Sequence, residues 1–466
     1  MSDAPLEMRF EALSLPPALA DNLASLGYRT LTPIQAQSLP PALAGRDVLG
    51  QGKTGSGKTA AFGLALLARL DVSNVRVQSL VLCPTRELAD QVAEALRRLA
   101  RTLPNVRILT LCGGAPLGPQ RHSLSHGAHI VIGTPGRVEA HLHRGSLDLG
   151  ALESLVLDEA DRMLDMGFQE SLAAIVKATP TTRQTLMFSA TFDEAVRPLA
   201  DAFLSDPAVI RVASTHDSDS IRQHFYAVND ERARFDALRR LLLHYRPQSG
   251  VVFCNTRRDT REVTDALTEA GFDATALHGD LEQRDRDRTL VQFAQQSVSI
   301  LVATDVAARG LDIDALDAVF NYQLASDPDA HIHRIGRTGR SGSRGVAATL
   351  VGERERYRLE ALGERLGDIP ETEPLPPAPR DASPFGAPMT TLEIDAGKKQ
   401  KIRPGDVVGA LTNTEFGHAL TADQVGNIRV TARHTFVAVK RCALDKALAQ
   451  LDKAPLKGRR ARARPL

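Results

Sequence analysis

The chain contains no tryptophan, and aromatic residues of all kinds make up 4% of its 466 positions. That scarcity argues against a long base-stacking track, the device by which many sequence-tolerant binders hold single strands. Cysteine is equally sparse. Cys83, Cys112, Cys254 and Cys442 stand far apart, with no Cys-x-x-Cys pair and no adjacent histidine cluster. Neither a zinc knuckle nor a disulfide framework is expected, and free thiols in a reducing compartment fit the pattern. No stretch approaches the ~18 consecutive apolar residues of a membrane span. The opening MSDAPLEMRFEALSLPP lacks the basic-then-apolar signature of a secretory signal. A cytoplasmic chain with no membrane association and no structural metal is therefore expected.

What is present is an ordinary globular balance, 43% hydrophobic and 24% charged, with length for about three domains. The net charge of +1 conceals an asymmetry: from Thr390 onward 15 Lys and Arg face 7 Asp and Glu, whereas the remainder carries 42 basic and 49 acidic residues. A mildly acidic body with a basic tail suggests a polyanion gripped at the C-terminal end. A solvated lysine-rich surface is the plainer alternative.

Two breaks divide the chain. The first is the polar run Ser214–Ser220; the second is Pro370–Pro388, where seven of nineteen residues are proline, the composition of a semi-rigid spacer. The expected parts are 1–213, 221–368, a linker 369–388, and 389–466. In the first part Ser79–Cys83, His129–Gly133, Ser154–Asp158 and Thr185–Ser189 read as buried strands, and in the second Gly250–Cys254, Ser299–Ala303 and Asp317–Asn321. Helical patterns such as Arg86–Arg101 and Arg258–Ala270 lie between them. Strands alternating with helices predict parallel sheets covered on both faces, with ligands at the carboxyl ends of the strands.

The sharpest local signal is GKTGSGKT, Gly52 to Thr59, which follows the short run DVLG and precedes a helical pattern. Gly55, Ser56 and Gly57 let backbone N–H groups cradle phosphate oxygens at a helix N-terminus. Lys58 can reach the β- and γ-phosphates and Thr59 can place its hydroxyl on Mg²⁺. Asp158-Glu159-Ala160-Asp161 closes the run SLVLD. There Asp158 can hold Mg²⁺ through water while Glu159 orients and deprotonates the attacking water. HRIGRTGR, His333 to Arg340, supplies three arginines at spacing three, suited to neutralising charge on a transferring phosphoryl group. These residues read as an NTPase whose site is formed only when the two parts close, with Lys58, Asp158, Glu159, Arg337 and Arg340 as its catalytic set.

With these motifs in order, the chain resembles the DEAD-box RNA helicases from about residue 10 to 365, the span of two domains. The resemblance implies two RecA-like parallel-sheet domains in tandem, ATP and Mg²⁺ as cofactors, and RNA as the partner. Phe10 stands seventeen residues before GYRTLTPIQ; by resemblance Gln35 would bond the adenine edge and Phe10 would stack on the ring, although from pattern alone Phe10 reads as a core residue. PTREL (Pro84, Thr85, Arg86), Gly113-Gly114 and TPGR (Thr134, Arg137) resemble the family's RNA-backbone segments. Ser189 and Thr191 of SAT resemble the segment coupling hydrolysis to domain closure. VVFCNT, HGDLEQRDR and ATDVAARGLDI resemble the remaining motifs, which imply Asp312 at the ribose, Thr304 and Arg286 at RNA phosphates, and Arg337 and Arg340 at the γ-phosphate. Two positions depart from the family pattern: Gly52, usually Ala, and His331, usually Tyr, whose ring is expected to pack differently.

The RNA-contact segments offer Thr, Gly, Arg and backbone N–H groups, which suit phosphate and sugar rather than base edges, so the core is expected to bind any sequence. The third part supplies a candidate address. Thr390–Ile394, Asn427–Val430 and Thr435–Arg441 read as strands, Pro404–Asn413 and Cys442–Leu451 as helices, and Lys457–Leu466 as an edge strand. The order β-α-β-β-α-β suggests a small α+β RNA-recognition-like domain. Phe436 is the one aromatic in these strands, which leaves Lys398, Lys399, Lys401 and Arg403 as the candidate RNA contacts. GKKQKIRPGDVVGALTN and HTFVAVKR resemble the tail of one bacterial branch of the family. That likeness implies a hairpin in the peptidyl-transferase region of 23S rRNA and large-subunit assembly intermediates as partners. A monomeric RNA helicase with RNA-stimulated ATPase activity is the leading expectation. An ATP-gated general RNA clamp without rRNA specificity and a DNA translocase are the alternatives.

Overall fold

The computed structural model describes residues 8–52, 55–189, 191, 196–212, 221–308, 316–339, 345–377 and 383–466. The chain forms two compact units, one from its N-terminal part and one from the remainder. The first unit is a sheet of β1 (Val48–Gln51), β2 (Ser79–Leu82), β3 (Ile108–Leu111), β4 (Ile130–Gly133), β5 (Ser154–Asp158), β6 (Gln184–Ser189) and β7 (Ala208–Arg211) in the order β3-β4-β2-β5-β6-β1-β7. Every pairing in it is parallel. The strands β2, β4, β5 and β6 are buried at each position, which is why they read as continuous apolar runs. Side-chain alternation feeds two cores. Val81 and Val156 join Phe62, Val92 and Phe188 on one face; Leu80, Leu82, Leu155 and Met187 join Met163 and Leu172 on the other. The helix Arg86–Leu99 buries Leu88, Val92, Leu96 and Leu99, and Thr85 caps its start by accepting from Leu88 N. That hydroxyl satisfies one of the orphan donors of the first turn.

The second unit holds two sheets. One contains β8 (Ile221–Val228), β9 (Gly250–Cys254), β10 (Ala274–Leu277), β11 (Ile300–Thr304), β12 (Ala318–Asn321) and β13 (Gly345–Gly352), all parallel, in the order β10-β11-β9-β12-β13-β8. The other is antiparallel, with β14 (Met389–Ile394), β15 (Val425–Val430), β16 (Thr435–Lys440) and β17 (Ala463–Pro465) in the order β15-β16-β14-β17. Helices Pro404–Thr412 and Leu444–Lys453 pack on one face of this small sheet through Leu392, Ile394, Val407, Leu411, Val437 and Leu451. Two parallel-sheet RecA-like domains and a small α+β domain are thus the architecture.

The proline-rich segment does not stand clear of the second domain. Glu373 N donates to Phe225 O at 2.7 Å, and the Arg240 guanidinium bonds the carbonyls of Leu375 and Pro376. Further on, Phe385 meets Phe272 edge-on at 5.5 Å and Ala387 N donates to Asp273 Oδ2 at 2.7 Å. Its described residues therefore run along the second domain as a strap. The four cysteines are free thiols, three of them buried, and among the described residues no helix is long and apolar enough to cross a membrane.

Candidate nucleotide and RNA site

The strand β1 delivers the chain at Gly52 into the phosphate loop, of which Lys53 and Thr54 lie outside the described residues. Gly55 and Gly57 are left-handed, with φ of +81° and +95°, a conformation that costs an L residue its Cβ clearance. Gly57 opens the helix Lys58–Ala68, whose first-turn N–H groups have no intrahelical partner and suit an anion. Lys58 is buried, and its Nζ donates to Gly52 O at 2.7 Å across the base of the loop. Ser56 and Thr59 are half-buried beside it.

A brace holds this loop from behind. Thr32 N donates to Gln35 Oε1 at 2.9 Å, Gln35 Nε2 donates to Gly57 O at 3.1 Å, and Thr32 Oγ1 donates to Ser56 O at 2.7 Å. Gln35, read as an adenine contact by resemblance, here ties the TPIQ segment to the phosphate loop, and Thr32 is a partner that motif reading passed over. Phe10 is 5% exposed and lies in the first core with its ring edge-on to Tyr28 at 5.7 Å.

The tetrad follows β5, and β6 separates β5 from β1. Asp158 is buried, and its Oδ1 has no hydrogen-bond partner among the described residues. Burial pushes its carboxyl up to about 6, against the pull of Lys58 in the other direction. An orphaned carboxylate oxygen within electrostatic reach of the phosphate loop fits the hydrated shell of Mg²⁺, which keeps several waters and takes one or two carboxylates. Glu159 sits at φ +56°, a left-handed strain of ~1–3 kcal/mol for a non-glycine residue of the kind that gathers at functional sites. Its Oε2 accepts from Arg162 Nη1 at 2.6 Å, with both side chains 6% exposed.

The coupling segment joins these parts. Gly52 N donates to Ser189 O at 3.0 Å, while Thr191 N and Oγ1 donate to Asp161 Oδ2 at 3.2 and 3.4 Å. Hydrogen bonds therefore tie the end of β6 to the phosphate loop and Thr191 to the tetrad. Asp161, quoted in the motif but given no role, is the acceptor for Thr191. Ser189 is fully buried, and its Oγ is unpartnered among the described residues.

The segments expected to hold RNA follow β2, β4 and β3, neighbours on the same sheet edge. Pro84 is buried; Thr85 and Arg86 are half-buried at the start of their helix. Gly114 is exposed at φ +73°. Thr134 opens the helix Pro135–His143, and Arg137 Nη1 donates to Ala115 O at 2.8 Å and Gln120 Oε1 at 2.9 Å, so that this arginine holds the Gly113-Gly114 loop in place.

In the second domain Thr304 ends β11, and its Oγ1 accepts from Ala307 N at 3.4 Å. Arg286 Nη2 donates to Ala307 O at 2.7 Å, which brings the two expected phosphate contacts together. Arg337 is buried at 6% exposure; Asp312 and Arg340 lie outside the described residues. The first of the three spaced arginines has a different task. Arg334 is 1% exposed and grips both oxygens of Asp305 at 2.6 and 2.7 Å, Asn255 Oδ1 at 2.7 Å and Gln323 O at 2.9 Å. It anchors the helix Pro328–Ile335, just past which Arg337 emerges. His331 on that helix stacks on Phe225 at 5.7 Å, and burial pushes its ring down to about 3. In the third domain Lys398, Lys399, Lys401 and Arg403 are exposed on the turn between β14 and the helix Pro404–Thr412.

Comparison with known proteins agrees with this geometry. Residues 32–199 match the DEAD/DEAH box helicase family, residues 233–342 the helicase conserved C-terminal domain, and residues 391–465 the DbpA RNA binding domain. The chain is 52% identical over 452 residues to the ATP-dependent RNA helicase DbpA of Escherichia coli, covering 97% of this chain and 98% of that protein. It is 44% identical over 353 residues to the DEAD-box ATP-dependent RNA helicase CshA of Bacillus cereus, covering 76% and 67%. Among solved structures, Saccharomyces cerevisiae Dbp5 bound to RNA and ADP BeF3 superposes with a TM-score of 0.71 at 31% identity, covering 78% of this chain and 95% of that one.

Three outcomes are expected of this site. Because the nucleotide-free Asp158 takes a proton at about pH 6, and Mg²⁺ needs the carboxylate, Mg-ATP affinity should fall by up to about tenfold per pH unit below that point. Fluorescent-nucleotide titrations between pH 5 and 8 check this, and a flat profile would contradict it. Gly57→Ala would set a Cβ 2.4 Å from Gln35 Nε2 at a left-handed φ, so ATP binding should weaken sharply while the fold persists by circular dichroism. Arg334→Met should destabilise the second domain by about 1–3 kcal/mol in urea unfolding, the cost of leaving acceptors such as Asn255 Oδ1 and Gln323 O without their donor.

Proposed function

Since the chain belongs to the DEAD-box ATP-dependent RNA helicases, RNA-stimulated ATPases, and carries a DbpA RNA binding domain, we propose that its target is 23S rRNA in large-subunit assembly. In this reading the core is sequence-blind and the third domain supplies the address by taking a hairpin of the peptidyl-transferase region. The observation that carries it is the exposed basic turn Lys398, Lys399, Lys401 and Arg403 on a domain whose residues 391–465 match that family throughout.

The chemistry follows from the residues already placed. Lys58 leaves Gly52 O for the β- and γ-phosphates, and the loop from Gly55 to Thr59 cradles them. When bound, Mg²⁺ neutralises the developing charge, with Thr59 and, through water, Asp158 as its protein partners. Glu159, fixed by Arg162, orients the attacking water and accepts its proton. Gln35 and Phe10 meet the adenine, Asp312 the ribose, and Arg337 with Arg340 the γ-phosphate once the domains close. The bonds Gly52–Ser189 and Thr191–Asp161 report the state of the γ-phosphate to the adjoining RNA-contact half of the sheet edge. Pro84, Thr85, Arg86, Gly114, Thr134, Arg137, Arg286 and Thr304 then hold a bent strand incompatible with duplex, so that ATP binding opens a short helix and hydrolysis releases it. The chain works as a cytoplasmic monomer.

Two experiments test this reading. Glu159→Gln should abolish turnover and keep ATP-dependent RNA binding; surviving hydrolysis would remove Glu159 as the base. Steady-state ATPase should respond strongly to the 23S hairpin with flanking single strand, weakly to a scrambled hairpin, and equally to both once the chain is cut near Pro370. Equal stimulation of the full-length protein by both RNAs would leave a general RNA clamp or remodeller in place of an rRNA helicase.

A further inference from the structure

The helix Gln283–Ala294 of the second domain has two constituencies. Arg286 bonds Ala307 O beside Thr304. Two residues on, Arg288 Nη2 lies 3.0 Å from Glu393 Oε2 on β14 of the third domain. Residues two apart do not share a helix face, so one helix serves the core on one side and the third domain on the other. The docking continues along it and its C-terminal end. Gln292 Nε2 donates to Leu466 O at 3.0 Å, Gln295 Nε2 donates to Phe436 O at 3.1 Å, and Ser297 Oγ meets Thr391 Oγ1 at 2.6 Å. At the border, Arg441 pairs with Asp273 at 2.7 Å.

Thr391 and Glu393 alternate with the core residues Leu392 and Ile394 and therefore occupy the sheet face away from the third domain's own helices. Both are buried, as is Phe436 across from Glu393. Glu393 is 3% exposed and is shared between Arg288 and Arg464, the latter at 2.8 Å, with His434 at 3.5 Å. A carboxylate this enclosed is stable as a charge only while its arginines stay in place.

We propose that Arg288 and Glu393 form a latch that positions the third domain on the helix bearing Arg286, so that RNA captured by that domain reaches the core contacts at one fixed geometry. The latch rests on the reading above, in which the third domain captures a hairpin. A domain held only by its spacer would offer captured RNA to the core at the low effective concentration of a tether. A docked one removes that search and the orientational cost with it. Arg288 and Glu393 act through this placement and touch neither ATP nor the reacting water.

The test uses full-length protein, a hairpin RNA with flanking single strand, and an unstructured RNA of equal length. Arg288→Glu sets like charges against each other; hairpin-stimulated kcat should fall about tenfold, within the 5–150-fold usual for coupling between sites. Hairpin affinity without nucleotide and stimulation by unstructured RNA should not change. Arg288→Lys should keep most of the stimulation. Ser297→Cys with Thr391→Cys, added to Arg288→Glu in a Cys442→Ser background, should restore hairpin-stimulated turnover when oxidised and lose it again with dithiothreitol. Wild-type preference for the hairpin that Arg288→Glu retains overturns the latch alone, as does a formed staple that restores nothing. Absence of preference in the wild type overturns the functional reading and the latch together.

Discussion

A parallel sheet sends every strand-to-helix turn out at one edge, and the arrangement of this enzyme depends on that constraint. In the first domain the order β3-β4-β2-β5-β6-β1 divides the edge in two. The turns after β5, β6 and β1 carry the tetrad, the SAT segment and the phosphate loop; those after β2, β4 and β3 carry the segments proposed to hold RNA. The halves meet where β2 pairs β5, with Leu82 opposite Leu157. Register then fixes the neighbours: Gln51 is opposite Ser189 and Asp158 opposite Phe188. A one-residue slip would exchange the two faces of every strand, so the hydrophobic alternation that fills the two cores also aims the side chains proposed as catalytic.

The same edge concentrates groups that the fold alone would not favour. Asp158 is a buried carboxylate with an empty oxygen, Glu159 holds a left-handed backbone, and Lys58 is kept on a loop carbonyl. Each is a local cost borne by the surrounding sheet. In the proposed reading phosphate would take the lysine, a hydrated cation the oxygen left unpartnered among the described residues, and the Glu159 carboxylate a water to order. In that reading nucleotide binding would satisfy the lysine and the carboxylate, and the bonds of Gly52 to Ser189 and of Thr191 to Asp161 would carry the change along the edge.

What could be read in the sequence follows burial and locality. Strands buried at every position, such as β2, β5 and β9, declare themselves as apolar runs, and the phosphate loop and tetrad are contiguous motifs. The edge strands β3, β7 and β10 are short and half-buried, so neither an unbroken nor an alternating pattern marks them. The arginines 334, 337 and 340 look alike at spacing three. What separates the first two is that Arg334 lies inside the helix ending at Ile335 and turns into Asp305, whereas Arg337 lies beyond its end. Nothing local could couple Arg288 to Glu393 across 105 positions, or show that Gln35 and Thr32 would brace Gly57 and Ser56. The proline-rich run reads as a spacer because its composition excludes helix; that it straps the second domain depends on Arg240, Phe272 and Asp273, which lie far upstream.

The third domain shows how one placement constrains another. RNA-recognition folds commonly stack bases on aromatics of the open sheet face, but here that face holds Thr391, Glu393 and Phe436 against the second domain's helix. What remains for RNA is the end of the sheet. There the turn carrying Lys398 and Lys399 is bonded through its backbone to Thr431 and Ala432, beside the exposed Arg433, and Lys457 Nζ donates to Lys401 O at 2.7 Å. A surface of this kind offers charge and a rigid outline without a stacking platform. In the proposed reading recognition there would come from the shape of a folded RNA, with phosphates placed to meet several cations at once. In that reading the docking that closes the sheet also narrows the class of RNA the domain would select.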